Sequence, residues 1–191
     1  MKLGKRLEES YYYNIKDTYA IRNFSNTLYS FLQENTDINT NIIILCIGTD
    51  RATGDCLGPI VGYKLKKLLL NNVTVFGTLS NPVHAKNIEE TVSFIKSTYS
   101  NSFIIAIDAC LGKMNHIGYV SIGKGSISPG AGVNKNLPPV GDMYITGIVN
   151  FSGYMDMLIL QNTRLNTVMR MADFITYGIR RTINQLNRSV S

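Results

Sequence analysis

The sequence predicts an α/β fold, with three α/β/α layers around a mostly parallel central sheet. Two continuous apolar runs, NIIILCIG at 41–48 and SFIIAID at 102–108, have the composition of strands buried on both faces. Segments of helical periodicity alternate with such runs, which calls for crossover connections and a parallel sheet covered by helices on both sides. No long linker or internal repeat divides the chain, and 191 residues suffice for one well-buried core.

Residues 1–16 are polar and tyrosine-rich, with Tyr11, Tyr12 and Tyr13 in succession, and read as a flexible N-terminal arm preceding a single domain over 17–191. Ile21, Phe24, Leu28 and Phe31 recur at helical spacing between Asp17 and Glu34. The first apolar run follows, ending in Gly48, and a helix is predicted over 57–70. A short strand at 73–78 (VTVFGT) leads to a helix over 88–98, with Glu89 and Glu90 in its first turn. The second apolar run then ends at Asp108. IGYVSIG (117–123) alternates as a further strand, a Gly/Pro-rich loop (SISPGAGVNKNLPPVGD) follows, and MYITGIVN (143–150) is another strand. A long helix over 162–186 closes the chain, burying Leu165, Val168, Met169, Ala172, Ile175 and Ile179.

Composition narrows the function classes. Hydrophobic residues make up 45% and charged residues 17%, as in an ordinary globular domain. The net charge of +6 is spread along the chain; Lys64, Lys66 and Lys67 form its densest group, on a predicted helix face that reads as solvated. No base-reading motif is present, so no nucleic-acid partner is expected. Cys46, Cys56 and Cys110 cannot all pair within one chain and fit a reducing compartment. The N-terminus lacks an apolar stretch of signal type, and the apolar runs are strand-sized, so a cytoplasmic protein without membrane spans is expected.

In an open parallel sheet, sites form outside the carboxyl ends of the strands, where the strand order reverses. The first apolar run feeds the loop GTDRATGDCLGP, containing Asp50 and Asp55, and the second ends at Asp108. If those two strands are neighbours, Asp55 and Asp108 face each other. Two close carboxyls in a partly dry cleft share one proton, so one acts as base while the other polarises a carbonyl. The same pair could instead hold a divalent cation, with His84 or His116 as third ligand. Structural roles stand beside these: a helix N-cap for Asp55, an Asx-type turn for Asp108, and a polar loop position beside Arg51 for Asp50. Cys56 or Cys110 could serve as a thiol nucleophile with His84, although buried cysteine is usually a small hydrophobe. PGAG with Lys135 could bind an anion through backbone amides but lacks the phosphate-loop pattern. Asp142 reads as a turn residue, and Asn162, Thr163 and Arg164 as a polar break before the last helix.

The motifs GTDRATGDCLGPIVG, NPVHAKN, IIAIDACLG, SPGAGVNKNLPPVGD, ITGIVNFSG and LQNTRLNTVMRMAD together resemble the YyaC family of sporulation proteins, from about residue 40 to about 180. That family is similar in fold to the germination protease of spores and to the hydrogenase maturation endopeptidases. The resemblance implies a phosphorylase/hydrolase-like fold and a sporulation- or germination-associated protease of atypical aspartic type. Asp55 and Asp108 fall on the germination protease's two essential aspartates, and Pro129, Gly130, Ala131 and Gly132 on its Pro-Gly-Ser/Ala-Gly loop. Gly48, Thr49, His84 and this loop are the candidate substrate-binding residues. No cofactor is implied, and the substrate would be a peptide or protein, with small acid-soluble spore proteins as candidates, in the forespore or mother cell of a spore-forming bacterium. In the endopeptidases acidic residues at the same two places and a later histidine bind nickel, so a metal-dependent endopeptidase is the alternative. A third alternative is a non-catalytic sporulation protein that binds a peptide or partner. Thr49 stands where both relatives usually carry Asn, and the nickel-binding histidine maps to no residue here.

Overall fold

The computed structural model of the chain describes residues 10–68, 70, 72–129 and 137–189. Its elements are β1 (Ser10–Asn14), α1 (Ala20–Asn35), β2 (Asn41–Cys46), α2 (Leu57–Lys67), β3 (Val73–Phe76), α3 (Ile88–Thr98), β4 (Ser102–Gly112), β5 (Tyr119–Lys124), β6 (Met143–Phe151), α4 (Asp156–Gln161) and α5 (Leu165–Ser189). The strands form one sheet in the order β1-β5-β6-β4-β2-β3. β3, β2, β4 and β6 run parallel, and β5 and β1 extend the β6 edge in antiparallel pairing.

The apolar runs of β2 and β4 lie at the centre of the sheet because they can bury both faces. Ile42, Ile44 and Cys46 point to one core with Phe24, Leu28, Leu57, Val61, Ile175 and Ile179 from α1, α2 and α5. Ile43, Leu45 and Ile47 point to the other core, against Ile88 and Ile95 of α3. Gly178 lets α1 approach α5, since a Cβ there would lie 2.4 Å from Cδ1 of Phe24. The same contact is tied by Ser25 Oγ to the Gly178 carbonyl at 3.3 Å and by Thr182 Oγ1 to the Ser25 carbonyl at 3.1 Å.

Three boundaries differ from the sequence expectation. Residues 10–14, assigned to a flexible arm, form an edge strand on β5, while residues 1–9 lie outside the described part. The tyrosines explain the pairing: Tyr11 and Tyr13 turn inward onto Phe31 and Phe24 of α1, and Tyr13 Oη donates to Thr27 at 2.6 Å. Tyr12, between them, points to the opposite face. The second apolar strand does not stop at Asp108 but runs on to Gly112, because β6 supplies partners for Ala109–Gly112 after β2 has ended. The last helix starts at Leu165, and a short helix, α4, precedes the polar break at 162–164.

Candidate active site

The strand order reverses between β2 and β4: β3 follows on one side of β2, and β4 and β6 follow on the other. β2 leaves the sheet at Gly48, whose φ of 137° is one that side chains rarely tolerate. That turn folds residues 49–56 back on themselves. The Thr49 N–H then meets two acceptors of Asp55, the backbone oxygen at 3.2 Å and Oδ2 at 2.9 Å. Asp55 therefore does not cap α2, which has no side-chain cap; its carboxylate is held by the loop that precedes it. Burial raises the Asp55 carboxyl above its ordinary range, and the Thr49 N–H and the nearby His84 oppose that rise.

Asp108 is only 8% exposed. It stands one residue beyond the last β2–β4 pair, Cys46 with Ile107, while remaining opposite Thr146 of β6. The departure of β2 thus opens space beside it. Its Oδ1 accepts the Ala109 N–H at 2.8 Å, and the strand continues, so it is not a turn residue.

A third segment converges here. Ile47 bridges Val83, and the Gly48 N–H donates to the Val83 carbonyl at 2.8 Å, which brings His84 alongside. His84 Nδ1 accepts the Lys86 N–H at 3.3 Å, so Nε2 is the ring nitrogen that carries the proton. Asp55, Asp108 and His84 line one cavity of about 590 Å³, with Gly48 and Pro129 at its wall.

Other candidates fall elsewhere. Asp50 is exposed in a turn, and His116 packs against the Tyr119 ring. Asp142 Oδ2 accepts the Ile104 N–H at 2.8 Å, a structural clip at the start of β4. Arg164 is exposed, and Thr163 is buried, its hydroxyl donating to the Ile159 carbonyl at 2.8 Å. Thr49 contributes its backbone to Asp55. Gly130, Ala131, Gly132 and Lys135 lie outside the described residues. Cys110 lines the cavity, but burial first, and Asp108 besides, push its thiol up to about 11, with Thr146 pulling back. Burial, then Asp50 and Asp55, raise Cys56 as well. Neither thiol is activated as a nucleophile. Among the described residues no three His, Cys, Asp or Glu side chains converge to hold a metal ion.

Sequence reasoning passed over Tyr12, Ser121, Tyr144 and Thr146, which also line the cavity. A signal for two of them was available: strict alternation in YVSIGK and MYITGIVN puts Ser121 and Thr146 on the face opposite Val120, Ile122, Met143 and Ile145.

The protein is thus an α/β scaffold with helices on both faces of its sheet, with one aspartate before a helix and one at the switch point. The chain belongs to the family described as "Protein of unknown function (DUF1256)", whose model matches residues 12–178. It is 54% identical over 138 residues to "Uncharacterized protein YyaC" of Bacillus subtilis (strain 168), an alignment covering 72% of this chain and 67% of that protein. Among solved structures it is similar to the [NiFe] hydrogenase maturation protease HycI from Thermococcus kodakarensis KOD1. That likeness has a TM-score of 0.50 at 17% identity, covering 81% of this chain and 99% of the other, and it is a likeness of fold. Among the described residues no helix is long and apolar enough to cross a membrane.

Proposed function

We propose that the protein is a peptide-bond hydrolase of aspartic type, in which Asp55 and Asp108 divide the acid and base roles. The observation that carries this reading is that the two carboxylates, delivered by separate elements, line a single cavity at the sheet's switch point. Burial raises the Asp55 carboxyl and so favours its protonated form. On this reading one of the two carboxyls polarises the scissile carbonyl while the other takes a proton from the attacking water. The Nε2–H of His84 supplies a further donor for a substrate carbonyl. The motif resemblance makes small acid-soluble spore proteins the first substrates to try, with action in the cytoplasm of the forespore or mother cell.

The test is cleavage of those proteins and of a spore-extract proteome, read by mass spectrometry. Wild type is compared with Asp55→Asn and Asp108→Asn, with and without chelator. Chelator-resistant cleavage that disappears in both variants is the expected result; cleavage unchanged in either variant refutes the mechanism, and cleavage lost to chelator moves the aspartates into ligand roles. A second reading, a binding protein that does not cut, is favoured by the exposed apolar run Tyr154, Met155, Met157 and Leu158 near Asp156 at the cavity. Persistence of an intact captured partner with wild-type protein, and no cleavage of any substrate, would support it.

A further inference from the structure

The sheet face on the α3 side is unevenly furnished. Over β2 and β4 it is apolar and lies under α3, and its buried cluster reaches Tyr144. Beyond that point, toward β5 and β1, the same face carries Ser121, Gly123, Tyr12 and Ser10. The strand registers align these residues in two rows. Asp108 of β4 pairs with Thr146 of β6, Thr146 with Ser121 of β5, and Ser121 with Tyr12 of β1. Tyr144 pairs with Gly123, and Gly123 with Ser10. The first row is a continuous polar floor leading from a candidate catalytic carboxylate to the sheet edge, and all four of its residues line the cavity.

Two details show that this floor is built rather than merely solvated. A Cβ at Gly123 would sit 2.2 Å from Cζ and 2.3 Å from Oη of Tyr144. The missing side chain lets the ring lie across β5 and bond Ser10 Oγ at 2.7 Å, which makes a flat platform beside the first row. Ser121 is 4% exposed, and its Oγ lies 2.6 Å from Thr146 Oγ1. Two O–H protons are present in this pair and the bond between them uses one. The other proton and several lone pairs can meet a ligand.

We propose that this floor is a side-chain subsite next to the reacting peptide bond, selecting a carboxamide, asparagine or glutamine, in the substrate. This deepens the proposed function and rests on its premise that the cavity takes a peptide. A carboxamide is flat, so it stacks on the Tyr144 ring, and it both accepts and donates, matching what the hydroxyl group offers. A carboxylate only accepts and would face Asp55 and Asp108. An ammonium only donates and leaves the free hydroxyl proton without an acceptor. A hydrocarbon would cover the hydroxyl pair without meeting its remaining proton and lone pairs, which is the costly case.

Binding and cutting are separated in the test. A positional-scanning peptide library is captured on the full chain carrying Asp55→Asn and Asp108→Asn, and the same library is offered to wild-type protein for cleavage. The expected result is about tenfold enrichment of Asn or Gln at one position over Leu, Glu and Lys, from the loss of one buried hydrogen bond. Adding Ser121→Ala or Thr146→Val, both volume-conserving enough to keep the strands, should abolish the enrichment while binding of the remaining positions persists. Selection of another residue class, selection unaltered by either substitution, or no peptide binding at all overturns the subsite. Carboxamide selection in binding with no cleavage by wild type keeps the subsite and removes the hydrolase reading. Cleavage without carboxamide selection does the reverse.

Discussion

Gly48→Ala offers a sharp test of how Asp55 is held. The glycine's φ of 137° belongs to a region that L side chains avoid, at a cost of about 1–3 kcal/mol. A methyl group there would also stand 2.1 Å from the Asp55 carbonyl oxygen and 3.1 Å from Cδ of Pro59. The first of these is backbone and cannot rotate away, so relief requires moving the Asp55 turn, at a further cost of about 1–3 kcal/mol. The sum, about 4 kcal/mol, is a large part of the 5–15 kcal/mol typical of a domain. It corresponds to a fall in Tm of about 8–16 °C at this chain length. Thermal denaturation read by circular dichroism measures it. Gly118→Ala is the control: its φ of 89° is comparably unfavourable, yet its nearest neighbour is Cγ1 of Ile15 at 3.9 Å. It should pay only the conformational part. If Gly48→Ala melts no lower than Gly118→Ala, the packing of Gly48 on Asp55 is not what sets the loop, and the argument fails.

The Asp55→Asn variant should be more stable than wild type at pH 7. Burial raises the native carboxyl above its ordinary value of 3.8, so the native state binds the proton more tightly and wild type loses stability as pH rises through that window. Urea denaturation should show the advantage shrinking as pH falls toward 4; an advantage that grows on acidification contradicts the assignment. The thiols supply another test, since burial raises Cys46, Cys56 and Cys110 alike. A thiol reagent at pH 7.5 should give no fast phase with native protein and full reaction after unfolding, and rapid native labelling of Cys110 would revive it as a nucleophile.

What the sequence revealed follows from where burial is two-sided. β2 and β4 are legible because nearly every position meets a core, and α1 because Phe24, Leu28 and Phe31 keep helical spacing against α5. β1 was missed because tyrosine serves both faces: Tyr13 is packed on Phe24 while Tyr12 lines the cavity, so no apolar–polar alternation appears. α4 was missed because its exposed residues, Met157 and Leu158, are as apolar as its buried one, Leu160, which erases the periodicity. The two aspartates could be picked out individually as strand-end and loop carboxylates. Their sharing of one cavity depends on β4 lying beside β2, which no local pattern encodes. The hydroxyl floor depends further on β6 standing between β4 and β5, so that residues 25 apart in sequence, Ser121 and Thr146, come into contact.

The polar break at 162–164 gains a purpose once those neighbours are known. Gly54, beside Asp55, is pressed against the α4–α5 junction: a Cβ there would lie 2.7 Å from Cδ2 of Leu160 and 2.9 Å from Oγ1 of Thr163. Thr163 Oγ1 in turn accepts from Nδ2 of Asn150 at 3.2 Å. Asn150 belongs to β6, where it pairs with Leu111 on the strand that carries Asp108. A short physical path therefore runs from the loop of one aspartate through Gly54, Thr163 and Asn150 to the strand of the other. Each carboxylate accepts a backbone N–H close in sequence, Asp55 from Thr49 and Asp108 from Ala109, and this path links the elements that carry them. Under the proposed mechanism, in which the two carboxyls share a proton, little variation in their separation is tolerated. Rigid elements linked through a buried threonine are better suited to that task than two independent loops.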